Sequence, residues 1–127
     1  VMVVGPGQKN LLRDFTEFNC CDDLTLDQLK SLLASAALFV GNDSGPAHMA
    51  AAFGIPSVVI FGSSNSSVWR PWQTESEVIE TDWDCKPCPG DHCYAFDEPR
   101  CILSVEVAQV EEAISRLSVT GTVASRA

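Results

Sequence analysis

The sequence predicts a doubly wound α/β fold, a parallel sheet covered by helices on both faces. Three observations point there. Residues 1–4, 37–40 and 57–61 are short, nearly all-apolar runs, the pattern of strands buried on both sides. Segments with apolar residues at helical spacing alternate with those runs. The junctions are rich in Gly, Pro, Asn, Asp and Ser, which make tight turns between strand and helix.

Taken in order, residues 1–4 form the first strand, and Gly5-Pro6-Gly7 is the turn that ends it. Over 8–18, Leu11, Leu12, Phe15 and Phe18 fall on one helical face. Residues 19–22 read as a second short strand, with Cys20 and Cys21 as core thiols pointing opposite ways. Thr25 and Gln28 form a capping-box pattern, and Leu26, Leu29, Leu32, Leu33 and Ala36 make a helical stripe behind it. A strand over 37–40 leads to a helix over 47–53, with Pro46 at its first position and Gly54 as its C-terminal cap. Residues 57–61 form the next strand.

A Ser- and Asn-rich loop over 62–73 closes with Trp69-Arg70-Pro71-Trp72. Its two tryptophans are expected to anchor it by burial, and Arg70 is a candidate for binding a phosphate. Residues 77–80 read as an edge strand, with Glu75, Glu77 and Glu80 as a solvated acidic edge. Residues 84–102 form an irregular, cysteine-rich excursion. Ser104 is expected to cap a last helix carrying Val107, Val110, Ile114 and Leu117 on one face. The expected organisation is one domain over 1–117 and a flexible tail over 118–127. Because the chain starts inside a strand pattern, it is expected to be a piece of a longer one.

Acidic residues outnumber basic ones 17 to 8, a net charge of −9. That balance argues against a nucleic-acid partner, which would need Lys and Arg to displace counterions. An anionic ligand then requires local positive potential, such as a helix N-terminus. No apolar run reaches the length that spans a bilayer, and the expectation is a soluble cytoplasmic protein. With 46% hydrophobic residues the chain can build a core, so its six cysteines are not needed as a disulfide scaffold.

The most informative stretch is Gly41-Asn42-Asp43-Ser44-Gly45-Pro46-Ala47-His48. Ligands of open parallel sheets bind beyond the carboxyl ends of the strands, and this stretch falls there. The first amides of the following helix lack intrahelical partners and carry partial positive charge. Pro46 has no amide, whereas Ala47 and His48 do. Gly45 permits close approach of a ligand to the backbone. Ser44 can cap the helix or donate its hydroxyl to a phosphate, and His48 lies within the first turn. Asp43 would repel a phosphate head-on and better suits sugar hydroxyls or loop amides. The same residues also suit a plain Asx turn that caps a helix.

Cys85, Cys88, Cys93 and Cys101 are spaced C-x2-C-x4-C-x7-C, with His92 beside the third. Four thiolates, two of them in a C-x-x-C knuckle, can hold a structural zinc. A disulfide pair and reduced thiols that simply pack are the alternatives.

The segment GNDSGPAHMAAAFGIPSVVIFG resembles the signature of glycosyltransferase family 9, the heptosyltransferase family of lipopolysaccharide assembly. Matching positions are Asp43, Ser44, Gly45, Pro46, His48, Ala50 to Ala52, Gly54, Pro56, Phe61 and Gly62. The resemblance implies a Rossmann-like, C-terminal half of a two-domain GT-B architecture, truncated here. It implies a metal-independent, inverting transferase whose donor is a nucleotide sugar, ADP-heptose or similar, and whose acceptor is a lipid-linked saccharide. Such an enzyme works in the cytoplasm or at the inner face of the membrane. Asp43 to His48, with Pro46 and Ala47 between, would contact diphosphate and sugar, while Gly5 to Gln8 would lie near the nucleoside. Many members carry a glutamate where Gln8 stands, so the charge-assisted grip on ribose is lost here. No catalytic residue falls in this stretch: the base belongs to an N-terminal acceptor domain, and this chain alone is expected to be inactive. The alternative is a non-catalytic α/β interaction module, stabilised by zinc. A nucleotide-sugar epimerase of the same architecture is a third reading.

Overall fold

A computed structural model describes residues 1–119. Of the tail expected over 118–127, residues 120–127 lie outside the described residues. Ser118 and Val119 are tied back: Ser118 N donates to Glu75 Oε1 at 2.9 Å, and Val119 N donates to Leu117 O at 3.0 Å. The chain divides into two compact units, 1–32 and 33–127.

In the first unit, β1 (Met2–Val3) and β2 (Cys20–Cys21) pair in parallel, Met2 opposite Cys20. The helical face expected over 8–18 is realised only as a 3-10 turn over Lys9–Leu12. Beyond it the chain continues in tight turns, with Phe15 N bonded to Leu12 O and Phe18 N to Phe15 O. The helical spacing of the apolar residues is present, but these i→i−3 bonds suit short pieces rather than long helices. Leu12 is buried, while Leu11, Phe15 and Phe18 are exposed. Cys20 is also exposed, its thiol bonded to Phe15 O, so only Cys21 is even half-buried.

Helix α1 (Leu26–Ala34) starts as predicted, with Thr25 N bonded to Gln28 Oε1 and Gln28 N to Thr25 Oγ1. It satisfies two otherwise orphan amides reciprocally.

The second unit is built on a parallel sheet in the order β3 (Phe39–Asn42), β4 (Ser57–Phe61), β5 (Ser76–Glu80). β3 runs two residues past the predicted end, because Gly41 and Asn42 pair in register with Val59 and Ile60. Alternation along β4 divides the core between its two faces. Val58 packs with Ile79, Ala113 and Leu117, so one face is covered by α5 (Val107–Arg116). Val59 and Phe61 pack with Ala47, so the other is covered by α2 (Gly45–Ala52). This is the predicted α/β architecture with helices on both faces.

Helix α2 buries Ala47, Ala50 and Ala51, small side chains that let its backbone approach the sheet closely. It ends as Gly54 predicts. Gly54 takes φ +70°, its N–H bonds Ala51 O, and Ile55 N bonds Ala50 O, a double closure of the last turn.

Other elements depart from the sequence reading. A short helix, α3 (Ser66–Trp69), lies inside the predicted loop, capped by the Asn65 side chain. Trp69 and Trp72 do not anchor that loop by burial, being 55% and 78% exposed. Pro71 is buried in their place, and Arg70 Nη2 donates to Ser76 O at 3.4 Å. The cysteine-rich excursion contains α4 (Arg100–Leu103). Ser104 terminates α4, its hydroxyl bonded to Arg100 O, and the cap of α5 is Glu106, which forms a capping box with Gln109.

The glutamates of the β5 edge are partnered rather than merely solvated. Glu75 accepts from Ser118, Glu77 from Arg116 at 2.8 Å, and Glu80 from Ser66 at 2.6 Å and Lys86 at 3.2 Å. The Ser66 hydroxyl above all holds the Glu80 carboxyl below its ordinary value, against an opposing effect of burial and with smaller help from Lys86. A depressed native value means that stabilisation is complete above the unfolded value of 4.5 and disappears as pH falls through the lower native one. The stability difference between wild type and Ser66→Ala is therefore expected to be constant above about pH 5.5 and to shrink below about pH 4.5. On this exposed edge it should not exceed about 1 kcal/mol. Urea midpoints across that range test it, and a pH-independent difference would exclude the Glu80 linkage.

Candidate functional site at the carboxyl ends of β3 and β4

The sheet brings Asp43 and Ser64 together from segments that follow neighbouring parallel strands. Asp43 N donates to Ile60 O at 3.0 Å, extending the β3–β4 ladder by one bond. This fixes the Asp43 side chain at the carboxyl edge of the sheet, where Ser64 Oγ donates to Asp43 Oδ2 at 2.5 Å. A carboxylate accepts at several lone-pair positions, so this brace orients Asp43 and leaves acceptor capacity over. Sequence reading missed Ser64. The available signal was the serine pair that follows Phe61-Gly62 on the adjacent strand.

Ser44 occupies the N-cap position of α2 in extended conformation, but its hydroxyl makes no cap bond and donates back to Asn42 O at 3.0 Å. Ala47 N bonds Ser44 O, so its amide closes the first turn instead of facing outward. Gly45 offers the N1 amide, which has no intrahelical acceptor. An added Cβ on Gly45 would meet no neighbouring atom within 4 Å, so the approach to that backbone is open. Pro46 is half-buried, and His48 is exposed on the first turn. Asp43, Ser44, Gly45 and His48 thus lie together at the mouth of α2.

Gly5 and Gln8 belong to the first unit. There the Gln8 side chain turns back, its Oε1 accepting from Gly5 N at 3.1 Å. Its amide nitrogen retains two donors for a hydroxyl ligand.

Cys85, Cys88, Cys93 and Cys101 all line one cavity of about 630 Å³ that begins at Gly62 and Ser63, directly after β4. All four are free thiols. They share the wall without converging: among the described residues no three His, Cys, Asp or Glu side chains form a group able to hold a metal ion. Lys86 stands on the same wall with only 11% of its side chain exposed, and its ammonium is satisfied by Glu80 Oε2 and Thr81 O. No helix among the described residues is long and apolar enough to cross a membrane.

The second unit is thus an α/β sheet with helices on both faces, and at its carboxyl edge a braced acidic residue stands beside a glycine-opened helix start. Residues 8–96 match the model of glycosyltransferase family 9 (heptosyltransferase), and the chain belongs to that family. It is 32% identical over 101 residues to lipooligosaccharide heptosyltransferase 2 of Campylobacter jejuni, covering 79% of this chain and 32% of that protein. To lipopolysaccharide heptosyltransferase 3 of Escherichia coli it is 45% identical over 49 residues, 39% of this chain and 14% of the relative. To lipopolysaccharide heptosyltransferase 1 of Pseudomonas aeruginosa it is 30% identical over 70 residues, 55% and 20% respectively. The chain thus spans 32% of the length of the Campylobacter relative. No solved structure matches it.

Proposed function

We propose that this chain is the donor-binding portion of a glycosyltransferase that moves a heptose or related sugar from a nucleotide sugar to a lipopolysaccharide-type acceptor. The observation that carries the reading is the family's Asp-Ser-Gly-Pro-x-His core standing at the carboxyl edge of β3, with Asp43 braced by Ser64.

In this reading the Gly45 amide and the positive end of α2 receive the diphosphate. The Ser44 hydroxyl exchanges its bond to Asn42 O for a phosphate oxygen. Asp43 accepts from sugar hydroxyls, and exposed His48 reaches the same group. A departing diphosphate gathers negative charge, and fixed dipoles aimed at it lower the barrier. Deprotonating the acceptor hydroxyl needs a base, which is assigned to the part of the relatives' length that this chain does not span.

The chain is accordingly expected to bind a nucleotide without turning over the sugar. Calorimetric titration with ADP, UDP, GDP and ADP-heptose tests this. Binding of one nucleotide with a further gain from its sugar supports the reading. A folded chain that binds none of the four overturns it in favour of an interaction module, and transfer by this chain alone overturns the division of labour.

A further inference from the structure

We infer that the cysteine-lined cavity is a covalent modification site for low-molecular-weight disulfides, and that its oxidation loosens the Asp43 site through Gly62, Ser63 and Ser64. The second clause rests on the donor-binding reading above; the first does not.

The cavity is about 630 Å³ and is walled by four free thiols that no step of the proposed function uses. That volume accommodates a molecule of tripeptide size. Cys85 is exposed and the other three are half-buried, so a reagent can reach them. Lys86 and Arg100 place two positive charges on the wall, beside the acidic Asp91 and Asp97.

Two of these cysteines abut the segment that follows β4, Cys88 through its backbone and Cys101 through its thiol. Cys88 N donates to Ser63 O at 3.0 Å. Cys101 Sγ lies 3.8 Å from where a Cβ on Gly62 would stand. The next residue, Ser64, is the one that braces Asp43. Sulfurs that are separate here must close to about 2.05 Å to bond, so a disulfide involving Cys88 or Cys101 pulls on Gly62 and Ser63. Ser64 is thus a positioning residue, and the cavity is the place from which its position can be changed.

With glutathione disulfide as oxidant, a cavity thiolate attacks one of its sulfurs, the reagent's S–S bond breaks, and one glutathione thiolate leaves and takes up a proton. A second cavity thiolate attacks the protein-bound sulfur of the mixed disulfide and releases the second glutathione. Two protein thiols are oxidised, and one glutathione disulfide is reduced to two thiols.

The chain is treated with glutathione disulfide, and three quantities are read: disulfide-linked peptides by mass spectrometry, amide hydrogen exchange, and ADP-heptose affinity. The expected result is a disulfide containing Cys88 or Cys101 and faster exchange at 63–65, with residues 58–61 still protected. Affinity should fall about tenfold, and dithiothreitol should reverse every change. The double variant C88S/C101S should lose the response, and reversal in the wild-type chain stands even if that variant misfolds. Absence of a disulfide, or a disulfide with unchanged exchange at 63–65, overturns the inference. So does one zinc per chain, in protein purified without chelator, that shields the thiols. If the reduced chain binds no ADP-heptose, the donor reading fails, and the exchange measurement still decides the fate of the modification site.

Discussion

Phe61→Ala is expected to cost about 3–5 kcal/mol of folding free energy, the largest loss of any single substitution considered. Phe61 is fully buried at the end of the central strand β4. It packs with Ala47 and Val59, and half-buried Phe39 and Val78 close around them. Three features keep the resulting cavity open. β4 is hydrogen-bonded to a strand on each side, so its backbone cannot move inward. The opposing α2 presents buried alanines, side chains too short to reach into the space. The facing residues are held in register by the ladder. With domain stabilities of about 5–15 kcal/mol, such a loss leaves much of the protein unfolded at moderate urea. Phe61→Leu retains most of the volume and should cost less than about 1.5 kcal/mol. Urea unfolding of both variants measures this. A Phe61→Ala cost under about 1 kcal/mol would show that α2 does not pack on this face as described.

Asp43→Ala is expected to weaken ADP-heptose binding by about ten- to a hundredfold while changing ADP binding little. The asymmetry follows from the chemistry of the site. A carboxylate accepts hydrogen bonds from hydroxyls and repels phosphate, so its removal takes away sugar contacts and relieves a repulsion. Asp43→Asn keeps an oxygen for Ser64 and loses the charge, and should fall between the two. Ser64→Ala keeps the carboxylate and removes the brace, so its loss should be smaller than that of Asp43→Ala. Because Asp43 is only half-buried, none of these changes should alter folding stability by more than about 1 kcal/mol. Equal losses for ADP and ADP-heptose would place Asp43 against the phosphates instead. An unchanged ADP-heptose affinity would remove it from the site.

Glu80 shows why some features could not be read ahead of the structure. Three glutamates over 75–80 look like a solvated edge because a sequence shows charge and not partners. Their partners lie up to 43 positions away, as with Ser118 and Glu75. The two tryptophans failed for a related reason. Aromatic residues usually bury themselves, but here Pro71 is the buried residue of the loop and both tryptophans are exposed. The segment over 8–18 has correct helical spacing, and its backbone closes only 3-10 and turn bonds.

By itself the sequence determined the features that depend on local chemistry. The apolar period of 57–61 specified β4, Thr25 with Gln28 specified the start of α1, and Gly54 specified the end of α2, because each acts over a few residues. The Asp-Ser-Gly-Pro-x-His core was legible for the same reason, and so was the family to which the chain belongs. The tertiary structure alone decided what joins distant segments. It brought Ser64 to Asp43 across 21 positions and gathered four cysteines on one wall without grouping them for a metal. It also turned the Ser44 hydroxyl back onto Asn42 O and used the Ala47 amide to close the first turn of α2. Hydrogen bonds reach about 3 Å, and only the register of neighbouring parallel strands sets which side chains come within that reach.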